Sequence, residues 1–65
     1  MGDGIETGRE IYFEHTAIGS AVRVAAIDSV TGIEVTVMGP ARAARSDLER
    51  LALAKLKLNL SRDTR

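Results

Sequence analysis

With 65 residues, 45% of them apolar and 28% charged, the chain has the composition of one small folded domain and is too hydrophobic for a wholly disordered one. It contains no cysteine, which excludes disulfides and thiolate metal sites as supports for a thin core. Nine basic residues against nine acidic ones exclude a strong overall field toward nucleic acid or an anionic membrane.

Residues 1–9 hold three of the six glycines together with Asp3, Glu6 and Arg9, and read as a flexible lead-in. They lack the basic and then apolar pattern of a leader, and no stretch approaches a membrane-spanning length, so a cytoplasmic protein without membrane contact is expected. From Glu10 to Ala17 the side chains alternate. Ile11 and Phe13 point one way, and Glu10, Tyr12, Glu14 and Thr16 the other, which predicts a half-buried strand. The segment Ala17-Ile18-Gly19-Ser20 then supplies a turn, and the β-branched run Ala21 to Asp28 a second strand. A turn centred on Ile18-Gly19 sets Phe13 against Val24, Ile11 against Ala26 and Glu14 against Arg23. One centred on Gly19-Ser20 keeps the same faces but moves Arg23 opposite Thr16. The first register has a cross-strand charge pair of opposite sign, but the sequence leaves the choice between the two open.

Asp28-Ser29-Val30-Thr31-Gly32 reads as a second turn, because Asp and Ser bond local N–H groups and Gly32 accepts a left-handed conformation. Ile33, Val35 and Val37 alternate with Glu34, Thr36 and Met38 as a third strand, with Val24 near Val37 and Ala26 near Val35. Gly39-Pro40 ends it. Ser46 followed by Glu49 forms a capping-box pattern, predicting a helix from Asp47 to about Leu60. Leu48, Ala52, Leu53, Leu56 and Leu60 make one stripe for the sheet. Leu51 and Leu58 fall on a separate line and need another home. The alternation in Lys55–Leu60 also permits a fourth strand, but Lys, Ala and Leu favour helix. The expected fold is α+β: a three-stranded antiparallel meander with one C-terminal helix on one face, in order βββα, over residues 10–61, with residues 62–65 as a frayed tail.

Chemistry is sparse in this pattern. His15 is the one histidine, and it has no partner at metal or triad spacing; Ser20 or Ser29 with Asp28 lacks an elbow or an oxyanion hole. Glu10, Glu14 and Glu34 fall on the open sheet face beside Arg23, where water screens them. Arg42, Arg45 and Ser46 at a helix start make a weak anion-binding corner, although Glu49 uses part of it as a capping partner. Charge is divided along the chain. Residues 1–41 carry two basic and six acidic side chains, and residues 42–65 seven basic and three acidic.

The run Glu10-Ile11, Val22 to Asp28, Thr31 to Val35, Gly39-Pro40, Leu48-Glu49-Arg50 and Ala52 to Leu56 resembles a family of short, uncharacterised bacterial proteins classed as a domain of unknown function. Some members carry a transferred name, serine hydroxymethyltransferase. That chemistry needs a large fold around pyridoxal phosphate and a Schiff-base lysine, whereas Lys55 and Lys57 lie on the expected helix of a thin domain. The resemblance implies no active site. The sequence therefore points to a non-enzymatic domain with no cofactor or metal, acting through protein association. The expected association is a homodimer through Leu51, Ala54 and Leu58, with another protein as the other possible partner. The alternative is nucleic-acid or anionic-ligand binding by the basic helix surface, through Arg42, Arg45, Arg50, Lys57 and Arg62.

Overall fold

The computed structural model describes residues 9–63. The elements follow in the order β1 (Ile11–Ile18), β2 (Ala21–Asp28), β3 (Glu34–Pro40) and α1 (Arg45–Asp63). The strands form one antiparallel sheet with β2 in the centre, and the helix lies across β2 and β3. This is the expected βββα arrangement. Residues 1–8 of the expected lead-in lie outside the described residues, as do 64 and 65 of the expected tail. Residues 62 and 63 continue the helix.

The first hairpin takes the Gly19-Ser20 register. Ile18 pairs with Ala21, Thr16 with Arg23, Glu14 with Ala25 and Ile11 with Asp28, which decides between the two registers the sequence left open and sets Arg23 opposite Thr16 instead of Glu14. The reason is conformational. Gly19 occupies the first central position with φ of 59°, and among the described residues no non-glycine has positive φ; this is the Gly-X pattern of a two-residue loop whose twist matches the strands. Centring on Ile18-Gly19 would place a β-branched residue where φ must be positive.

The second register is as expected, with Val24 opposite Val37 and Ala26 opposite Val35. Its turn closes through Asp28 N–H donating to Ile33 O at 2.9 Å and Gly32 N–H donating to Asp28 O at 2.8 Å, with Gly32 at φ 78°. Pro40 ends the ladder opposite Ala21.

The helix starts at Arg45, with Asp47 and Leu48 N–H both donating to Ala44 O. Ser46 therefore stands inside the first turn and not ahead of it. The capping box is replaced: Glu49 reaches across to His15. Leu48, Ala52 and Leu56 are buried against Val24, Ala26 and Val35, with Ile11, Phe13, Val22, Ile33, Val37, Ala43 and Leu60 packed around them; Leu53 is half-buried. The helix comes close because alanines stand at Ala26 and Ala52 and because Gly39 has no side chain. A Cβ at position 39 would lie 2.6 Å from Leu48 Cδ2. Burying Leu48 and Leu56 contributes roughly 1.5–3 kcal/mol each.

Candidate functional site

The outer face of the helix carries the largest exposed leucines. Leu51 is 59% exposed and Leu58 63%. They follow from the spacing of the helix itself: with Leu48, Ala52 and Leu56 turned to the sheet, positions 51, 54 and 58 fall on a separate flank. Lys55 fixes which flank it is. Its Nζ donates to Thr36 O of β3 at 2.9 Å, and Leu51 and Leu58 lie one turn to either side of it, so the leucines overhang the β3 side of the sheet. Asp47, Arg50, Leu51 and Ala54 line an open, mostly apolar hollow there. The Arg50–Asp47 pair on its rim spans 3.4 Å between two well-exposed groups and adds little stability.

Arg42, Arg45 and Ser46 are all exposed, and Asp47 brings a negative charge into the same first turn, where it occupies the favourable end of the helix dipole. Of the wider basic surface, Arg50 lies on Asp47; Lys55 beside it is held on Thr36 O.

The groups that could have formed a triad are held apart. His15, with its side chain 18% exposed, has Nε2 2.9 Å from Glu49 Oε2. Asp28 pairs with Ile11, four residues along β1 from His15, a separation of roughly 13 Å at the usual strand rise. Ser29 Oγ accepts from Glu10 N–H, and Ser20 is in the hairpin loop. On the open face Glu10 accepts the Tyr12 hydroxyl at 2.6 Å. That bond, with the carboxylate's charge, holds the Tyr12 phenol above its usual value. Glu14 and Glu34 are exposed on the same face.

Asp28 is the buried carboxylate, at 0% exposure, and it is structural. One oxygen accepts from both the N–H and the hydroxyl of Thr31 at 2.8 Å, and the other lies 3.2 Å from Arg9 Nε. Burial pushes its pKa up, but the Thr31 bonds, the Arg9 charge and the Val30 N–H outweigh it, leaving the group below its ordinary value of 3.8. The turn chemistry of Asp28 was legible in the sequence. Its pairing with Arg9 was not, because Arg9 sits among glycines and acids that give no periodic signal. Among the described residues no group of three or more His, Cys, Asp or Glu could hold a metal ion, and no helix is long and apolar enough to cross a membrane.

A three-stranded antiparallel meander carrying one helix, with its polar groups spent on turns and on tying strand to helix, defines a small α+β domain. The chain belongs to the family DUF6898, a domain of unknown function, whose model matches residues 8–63. No curated protein and no solved structure gives a significant match.

Proposed function

We propose that this domain is a non-enzymatic, cytoplasmic association module that forms a homodimer through Leu51, Ala54 and Leu58. The observation that carries this reading is the pair of leucines, seven residues apart on one helix flank and each more than half exposed. Seven residues is the repeat that keeps one seam facing a partner helix. Ala54 lies near its middle, where a small residue lets two helices approach.

The pattern supports a second copy as the occupant. A two-fold axis near Ala54 brings Leu51 of one chain against Leu58 of the other, and an antiparallel pairing opposes the two helix dipoles. The rim charges Asp47 and Arg50 are of opposite sign and cancel, and Lys55 on the same flank is turned to the Thr36 carbonyl. Covering the exposed parts of both leucines contributes about 2–4 kcal/mol per chain before association costs. The basic helix surface as a nucleic-acid site has weaker support, because Arg50, one of its cations, already lies 3.4 Å from Asp47.

Sedimentation at micromolar concentration tests the proposal. The wild-type chain is expected above monomer mass, and Leu51→Glu with Leu58→Glu is expected to lower that mass while circular dichroism keeps its shape. A mass indifferent to both substitutions would refute the helix seam.

A further inference from the structure

The two edges of the sheet are finished differently. Ile18 and Ala21 close a two-residue loop as a bonded pair, and Ser29 N–H donates to Glu10 O; even-numbered residues of β1 therefore bond to β2, and the N–H and C=O groups of Ile11, Phe13, His15 and Ala17 point away from the sheet. On β3 the outward groups belong to Glu34, Thr36, Met38 and Pro40. There Lys55 covers the Thr36 carbonyl and Pro40 has no N–H to offer, two of the usual protections of a free edge. Among the described residues β1 has neither protection. Its eight residues run in unbroken register with β2, without a bulge, lysine or proline.

We propose that the free edge of β1 pairs antiparallel with β1 of a second copy, about a two-fold axis at His15, extending the sheet across two chains. The side chains of β1 are self-complementary about that point. Tyr12 and Ile18, 52% and 45% exposed, lie on the same open face three residues to either side of His15, so each meets the other in the second copy. Glu14 meets Thr16, and Phe13 meets Ala17. The outward pairs Phe13–Ala17 and His15–His15 then exchange the backbone hydrogen bonds that the edge leaves open. The registers centred on Glu14 and Phe13 are worse. The first sets the Glu14 carboxylate against its own copy, and the second leaves Ile18 uncovered. The Tyr12 hydroxyl is already satisfied by Glu10, which leaves its ring free to pack.

This contact lies on the flank opposite Leu51 and Leu58 and does not depend on the helix seam. The test is accordingly made in the chain carrying Leu51→Glu and Leu58→Glu. That chain is expected still to dimerise, with the Phe13, His15 and Ala17 amides exchanging slowly at high concentration and faster on dilution. Adding Thr16→Glu, which places like charges opposite Glu14 twice per dimer, is expected to weaken the association about tenfold, and Thr16→Lys to strengthen it several-fold. Thr16 is exposed, and circular dichroism confirms that each variant is folded. A monomer whose three outward amides exchange at unprotected rates would overturn the proposal. So would Thr16→Glu and Thr16→Lys acting alike, which would indicate a different strand or a different register on the edge.

Discussion

At the scale of single residues, the polar groups that matter most hold the fold together. Asp28 ends β2 on the face that carries the helix, fully buried, and it collects two bonds from Thr31 and the charge of Arg9. Each of these favours the carboxylate over the acid. Because the folded pKa lies below the ordinary value of 3.8, Asp28 contributes stability that is fully present above that value. The contribution is lost as the pH falls through the folded pKa. Asp28→Asn keeps an oxygen for Thr31 but has no charge to lose. The expected outcome is a variant with a lower Tm than wild type at neutral pH and a flatter decline below about pH 4, so that the two curves converge in acid. Thermal melts followed from neutral pH down to about pH 2 check this, and parallel curves would show that the acid sensitivity originates elsewhere.

At the scale of elements, strand periodicity, helix propensity and the β2–β3 register could be read directly. Val24, Ala26, Val35 and Val37 repeat at two, while Leu48, Ala52 and Leu56 repeat at four, and tertiary contacts only reinforced those local preferences. The first hairpin was harder. Both registers put the same faces inward, so burial could not separate them, and the decision passed to the φ of one residue, Gly19. The capping box failed for a different reason: a free Glu49 near His15 finds a partner across the interface that no local rule anticipates. The exposed flank of Leu51, Ala54 and Leu58 was legible because it depends on helical spacing alone. The unguarded edge of β1 was not, since edge and centre are properties of the assembled sheet. Gly39 belongs with these, as its value lies in what Leu48 needs and not in ending a strand. Gly39→Ala is expected to destabilise the domain by about 1–3 kcal/mol through overpacking. In a Leu48→Ala background most of that cost should vanish, because the clashing methyl groups are gone. A urea-denaturation double-mutant cycle measures the difference, and additive effects would refute the close approach as the cause.

At the scale of the whole molecule, the thin core, a two-sided helix and an asymmetric sheet bear on a single question, which is how such a chain is stable. Its surface of 4511 Å² is small enough that one standard interface, about 800 Å² per partner, would cover roughly a sixth of it. The helix seam and the β1 edge occupy opposite flanks, so a chain using both would have two distinct two-fold contacts. Such contacts either close at a small even number of chains or repeat without closing. Either way folding and association would be linked, since each proposed contact would bind the native chain and not the unfolded one. The expected consequence is a Tm that rises with protein concentration, by an amount corresponding to up to about 4 kcal/mol over a thousandfold range. Leu51→Glu with Leu58→Glu should reduce that slope, Thr16→Glu should reduce it separately, and the three together should reduce it most. Calorimetry across a dilution series decides the matter, and a wild-type Tm indifferent to concentration would mean that Leu48, Leu56 and their neighbours suffice to stabilise a solitary chain.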